Sequence, residues 1–212
     1  MTKKWWVWAT ALLVGGIFFL ATATGQRLLT VALEQAGSEW SEATARMPQS
    51  PVTIPAEGTI EMAFSPPPGT TDAIVKAMGE AQHRLWIQAY SFTSAPIAKA
   101  VIDAKKRGVT VQVLLDKSQR TQKYSSADFL ANQGVETRID DQHAIAHNKV
   151  MVIDDATVIT GSFNFSKAAE QSNAENLLIL RGNPALNRLY AENFRFHWSH
   201  SEPYAARQVW TD

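Results

Sequence analysis

Beyond residue 58 the chain alternates between two hydrophobic rhythms. Short runs dense in Val, Ile, Leu and aromatic residues have the length of strands. Between them, apolar residues recur every three or four positions, as on one face of a helix. The strand-like runs are TIEMAFS at 59–65, LWIQAYSF at 85–92 and VTVQVLL at 109–115, with shorter ones near Val135 and over 146–153, 157–160 and 176–180. Helical spacing covers 71–81, 96–107, 125–132 and 184–200. Strands and helices of these lengths in alternation predict an α/β sandwich around a mostly buried sheet. The chain contains no internal repeat.

Upstream the pattern changes. Residues 26–58 hold a short apolar helical pattern (Leu28, Leu29, Val31, Leu33) and then Pro48, Pro51 and Pro55. These prolines interrupt any continuous helix and favour extended chain, so the segment reads as a tether. Residues 5–25 are uncharged and apolar, follow Lys3 and Lys4, and close on Ala21-Thr22-Ala23. That is the pattern of a secretory leader with a small-residue cleavage site. The stretch also approaches the ~20 apolar residues of a spanning helix, so 1–25 is expected to be either a signal peptide or a membrane anchor. In both cases the positive flank stays cytoplasmic and the rest is exported. The remainder is expected to be periplasmic or secreted, or held to the inner membrane through residues 5–25. Residues 59–212 are then expected to form the main folded domain.

Composition narrows the classes. A chain of 212 residues holds one domain of ~150 residues with its appendages and no second full catalytic domain. Twenty basic and 20 acidic residues cancel, so a polyanion would have to be met by a local patch. The candidate patch is Lys105, Lys106, Arg107, Lys117, Arg120 and Lys123, whose alternative is a solvated helix end and loop. The absence of cysteine excludes disulfides, thiolate metal sites and cysteine nucleophiles.

The candidate chemistry sits in HNKVMVID, from His147 to Asp154, followed by DATVITGSFNF and then Glu175 and Asn176. On a strand, His147 and Lys149 project from one face because side chains alternate with period 2. An imidazole can attack phosphorus, and an ammonium beside it can hold the non-bridging oxygens. Asp154, seven residues beyond His147, then points away and reads as structural. Ser162 and Asn164, also two apart, can share a face and add neutral donors to a phosphate site. Glu175 is expected to accept the His147 Nδ1 proton and fix its tautomer. Tyr90, Ser91 and Ser94 fall where the mouth of such a site would be. His83, His197 and His200 read as surface or packing residues. His143 stands four before His147, the spacing of a metal pair on a helix, but the strand context and the lack of a following Glu argue against a metal.

These residues resemble the signature of the phospholipase D superfamily, His-x-Lys-x4-Asp followed by Gly-Ser-x-Asn: His147, Lys149 and Asp154, then Gly161, Ser162 and Asn164. The stretch from about Ile60 to Trp198 is similar to the exported single-motif endonucleases of that superfamily. The resemblance implies an α-β-α sandwich with a central mixed sheet and one motif per chain. It also implies a covalent phosphohistidine opened by water, with a site shared across a homodimer.

A shortage in the sequence argues the same way. In-line attack by one imidazole leaves the departing oxygen on the far side without a proton donor, and the chain holds one complete motif. A second His147 from another copy on a twofold axis would supply it. With two Lys149 side chains and the Asn164 amides on the phosphate, no divalent metal or other cofactor is required. The expected substrate is DNA, or RNA, recognised through its backbone without sequence preference. A phospholipase acting on membrane phosphodiesters is the alternative enzyme, and a non-catalytic nucleic-acid-binding module is the alternative outside enzymology.

Overall fold

The computed structural model describes residues 26–27 and 50–207. The expected leader or anchor at 5–25 and the apolar pattern at 28–33 lie outside the described residues. No helix among the described residues is long and apolar enough to cross a membrane. The chain divides between Arg46 and Met47 into two units, and everything below concerns the second.

Among the described residues of this unit, eight strands and five α-helices follow one another much as the hydrophobic rhythm predicts. They are β1 (Thr59–Ser65), α1 (Thr70–Gly79), β2 (Arg84–Ala89), α2 (Ala95–Lys106), β3 (Thr110–Asp116), α3 (Ala127–Asn132), β4 (Glu136–Asp140), β5 (Lys149–Ile153), β6 (Thr157–Gly161), α4 (Lys167–Gln171), β7 (Glu175–Arg181), α5 (Pro184–Ser199) and β8 (Glu202–Pro203). A 3-10 turn, Lys117–Arg120, follows β3. Local chemistry sets the helix starts. Pro184 opens α5 with its fixed φ, and the Asn183 side chain accepts the Leu186 N–H at 2.9 Å. Helix α2 likewise has Pro96 in its first turn.

The strands form one sheet in the order β1-β7-β6-β5-β2-β3-β4-β8. β2, β3 and β4 run parallel, joined by crossovers through α2 and α3, and the other pairings are antiparallel. The sheet is therefore mixed. Every residue of β5, KVMVI, is buried, which is why its sequence is a continuous apolar run behind the lysine. One face packs under α1 to α4, with Ile74, Met78, Ile97, Val101 and Leu130 against Leu85, Ile87, Val113 and Met151. The other face carries α5, where Ala191 and Tyr190 meet Val150 and Val152, and Trp86 stacks on Phe194 at 4.8 Å. This is the α-β-α sandwich that the resemblance implied.

The topology fixes where chemistry can happen. Because β5 is antiparallel to both β2 and β6, its first residue Lys149 pairs with Ala89 at the end of β2, and Val150 pairs with Thr160 near the end of β6. β7 in turn starts beside the end of β6, with Leu177 opposite Gly161. The ends of β2, β3 and β6 and the starts of β5 and β7 thus share one edge of the sandwich.

One expectation is corrected here. The strand predicted over 146–153 begins at Lys149, so His147 stands in the connection from β4 and not on β5. Asp116 and Asn148 explain the early stop. The Asp116 carboxylate takes the Ala146 N–H at 2.8 Å and turns the chain toward β3, and a single further bond, from Tyr90 N–H to Asn148 C=O at 2.9 Å, extends the ladder with β2.

Candidate active site

Tyr90, directly after β2, is the platform of the site. The His147 ring lies against it, with centroids 4.6 Å apart and planes tilted by 55°, and Lys149 Nζ stands 5.0 Å from the same centroid. His147 and Lys149 therefore meet over one aromatic ring, though for a different reason than strand alternation. His147 is exposed, and its ring makes none of the hydrogen bonds found among the described residues. Lys149 is 6% exposed, and its ammonium donates to the His147 backbone carbonyl at 2.8 Å. Burial pushes the Lys149 pKa below the usual lysine value, with Glu175 nearby pulling it back up. A poorly solvated cation beside an open imidazole suits an anion that arrives to replace lost water.

Glu175, the first residue of β7, bonds neighbours other than His147 within one chain. Its carboxylate accepts the Ser162 hydroxyl at 2.6 Å and the Asn173 amide at 3.1 Å, and no hydrogen bond among the described residues joins it to His147. The Ser162 oxygen also accepts the Asn176 N–H at 3.0 Å. Within one chain, then, Ser162 spends its proton on Glu175 rather than on a phosphate, and Glu175 acts on the site through its charge near Lys149. Asn164 is half-buried, and its Oδ1 is enclosed without a partner among the described residues. Gly161 allows β6 and β7 to approach here. At φ 153, a Cβ on it would lie 2.3 Å from the Asn176 carbonyl oxygen.

Asp154 sits at the far end of β5, about 17 Å along the strand from Lys149. It has φ 47 in the hairpin to β6, a conformation that aspartate tolerates better than most residues. Its carboxylate collects three backbone N–H groups, from Gln82 (3.0 Å), His83 (2.8 Å) and Arg84 (2.8 Å), and the Arg84 guanidinium bonds its own carbonyl. Burial would raise its pKa, but the bonds from Gln82, Arg84 and His83 hold it below the usual carboxylate value. Asp154 ties β5 to the start of β2.

Other sequence expectations divide. The basic patch separates into two groups, because β3 lies between them and spans about 23 Å. Lys105, Lys106 and Arg107 fall at the opposite end of the sheet, where Arg107 donates to the Met78 carbonyl. Lys117, Arg120 and Lys123 follow β3 at the end that carries His147, and of these Arg120 is paired with Glu202 at 2.8 Å. His197 and His200, read as surface or packing residues, gather with His143 around buried Asp140. The missed signal is a pair of three-residue spacings, Asp140-x2-His143 and His197-x2-His200, separated by too much chain for sequence alone to join. Asp116 was missed as well. It is 3% exposed and anchors both the 3-10 turn and the His147 connection.

Comparisons with known proteins can be set beside this geometry. Residues 74–198 match a family described as cardiolipin synthase, PLD-like domain. The chain is 40% identical over 139 residues to a phospholipase D of Rickettsia felis, covering 66% of this chain and 67% of that one. The chain belongs to the phospholipase D superfamily. Its members are phosphodiester hydrolases, and so is this chain. A mitochondrial cardiolipin hydrolase of Xenopus laevis is 31% identical over 159 residues, 72% of this chain and 75% of the other. Among solved structures, the phospholipase D family member Nuc from Salmonella typhimurium superposes with a TM-score of 0.67 at 35% identity, covering 69% of this chain and 97% of its own.

Proposed function

We propose that this phosphodiester hydrolase is a nonspecific endonuclease that cleaves DNA, and RNA as a second substrate, without a catalytic metal. The observation that carries the reading is the pairing over Tyr90 of an exposed His147, whose ring has no hydrogen bond among the described residues, with a desolvated Lys149. In the proposed reaction a ring nitrogen of His147 attacks phosphorus in line, and the P–O bond to the leaving group breaks. The leaving oxygen takes a proton from the His147 of a second copy. That imidazole then removes a proton from water, the hydroxide attacks phosphorus, and the P–N bond breaks to release free His147. Lys149 holds the non-bridging oxygens throughout.

A second copy is supported by what one chain lacks. Of the other four histidines, His143, His197 and His200 each direct a ring nitrogen at Asp140, and His83 lies at the Asp154 end of the sheet. An apolar stripe also invites a partner. β1 is an edge strand that exposes Ile60, Met62 and Phe64 (58–64% exposed), and it ends where Ser65 pairs with Glu175. The name Nuc of the 35%-identical solved relative favours nucleic acid, as do exposed Lys117 and Lys123 at the site's end of the sheet, Lys123 lying 5.4 Å from the Tyr124 ring. The second reading is a phospholipase, in keeping with the relatives named phospholipase D and cardiolipin hydrolase. Ile145, 57% exposed and two residues before His147, is the observation that favours it. We also propose that the catalytic unit is exported and, where the leader is retained, held to the inner membrane.

The test is an assay of the full-length protein against plasmid DNA, RNA and phosphatidylcholine vesicles, with and without excess EDTA. The expected result is nicking and degradation of DNA that persists in EDTA and gains nothing from magnesium. Hydrolysis of phosphatidylcholine alone would replace the endonuclease reading with the phospholipase one. Activity lost in EDTA and restored by magnesium would overturn the phosphohistidine route, since magnesium would then be supplying the transition-state charge.

A further inference from the structure

Asp140 ends β4 with a side chain that is 0% exposed. Its Oδ1 takes the backbone N–H of Gln142 at 3.2 Å. Its Oδ2 faces three imidazoles: His143 Nδ1 at 2.9 Å, His197 Nδ1 at 3.0 Å and His200 Nε2 at 3.4 Å. The rings crowd together, with centroids 4.8 Å apart for His143 and His197, 5.3 Å for His143 and His200, and 5.5 Å for His197 and His200. One ligand atom from each of the four residues lies within 4.8 Å of all the others.

We infer that Asp140, His143, His197 and His200 form a closed tetrahedral site for zinc, separate from the phosphodiesterase site and independent of the substrate assigned to it. The donor set is three borderline-soft nitrogens and one carboxylate oxygen, which zinc accepts and which hard magnesium and calcium do not favour. At zinc–ligand distances of ~2.0–2.1 Å, tetrahedral ligands are about 3.3 Å apart, close to the three Asp140–His separations. His197 and His200 reach Oδ2 alone, and His143 Nδ1 lies within reach of both carboxylate oxygens, 3.1 Å from Oδ1 and 2.9 Å from Oδ2; a cation at the centre would let each imidazole turn a lone pair inward. His143, with 39% of its side chain exposed, gives an ion its way in.

Four protein ligands leave no open position, so the metal would be structural and not catalytic. Its position gives it a task. It would fasten the end of β4 to the last turn of α5, and it would grip by His143 the connection that carries His147. The same connection is held by Lys117, which donates to the His143 carbonyl at 3.0 Å, and by Asp116 at Ala146.

The test is metal analysis and thermal unfolding of the full-length protein, expressed with zinc and purified without chelator. We expect one zinc per chain, retained through dialysis. After stripping with a strong chelator, returning zinc should raise Tm by about 5–10 °C at ~100 times its Kd, while magnesium has no effect. Cobalt in place of zinc should give the visible absorption of a tetrahedral site. His143→Ala, a change in a half-exposed loop residue, should weaken zinc binding at least ~10-fold, and the double variant H197A/H200A should abolish it. Wild-type protein that neither retains zinc nor shifts its Tm with added zinc would overturn the inference. So would zinc binding of equal strength in wild type and His143→Ala, which would place the ion elsewhere. None of these readouts uses hydrolysis, so the endonuclease reading stands or falls separately.

Discussion

The two ends of β5 carry the two halves of one sequence motif and treat polar groups in opposite ways. At the Asp154 end every strong acceptor is used: three backbone N–H groups converge on one carboxylate, and its own carbonyl is taken by Arg84. At the Lys149 end, groups stand ready but unsatisfied. Among the described residues the His147 ring is held by ring contact alone, Lys149 is desolvated, and Asn164 encloses an unpartnered oxygen. A saturated carboxylate holds two strands together. Unsatisfied polar groups destabilise the free fold and become useful when a phosphate fills them. Motif membership alone therefore does not identify a catalytic residue; the state of its hydrogen bonds does.

The contrast can be broken most severely at His147. His147→Asn should lower hydrolysis by roughly 10³-fold or more while leaving Tm unchanged, because an exposed amide replaces an exposed ring and covalent catalysis is lost. Residual turnover above ~1% of wild type would remove His147 as nucleophile. Asp154→Asn should do the reverse. It should destabilise by about 1–3 kcal/mol in chemical denaturation, and activity per folded molecule should stay within about twofold. The sign with pH follows from its lowered pKa. The stability that Asp154 contributes is present above the unfolded value of about 3.9 and is lost as pH falls through the lower folded value, so the variant should show a flatter acid limb. A variant as stable as wild type but inactive would abolish the contrast between the two ends.

Two smaller effects sharpen it. Equal coexpression of wild-type and His147→Asn chains should leave about a quarter of the activity of the same total of wild-type protein, since random pairing makes about a quarter of dimers fully wild type. About half would indicate that each chain works alone. In the pH profile, the alkaline limb should fall below the ordinary lysine value of about 10.4, because desolvated Lys149 loses its proton early. Glu175→Gln should move that limb further down, as the charge that supports the ammonium is gone. An upward shift would mean that Glu175 acts by other means.

Much of the fold was legible because the core imposes its period on the chain. β5 reads VMVI, and α2 spaces Ile97, Val101 and Ala104 along one face, so element type and order could be read locally. Boundaries were less legible where a distant side chain intervenes. The strand predicted from Ala146 starts at Lys149 because Asp116, thirty residues earlier, takes the Ala146 N–H. The basic patch failed for a related reason. Sequence proximity of Lys106 and Lys117 conceals the strand that carries them to opposite ends of the sheet.

The sequence by itself determined the family, the α/β alternation and the residues of the motif, since each depends on identity and spacing within a short window. Tertiary structure alone decided the company those residues keep. It seats His147 and Lys149 together on Tyr90, gives Glu175 to Ser162 and Asn173, and assembles Asp140, His143, His197 and His200 from segments 57 residues apart. The physical reason is that hydrophobic period is a local property of the chain. Charge pairing and ligand convergence instead depend on which strand ends the sheet order brings side by side.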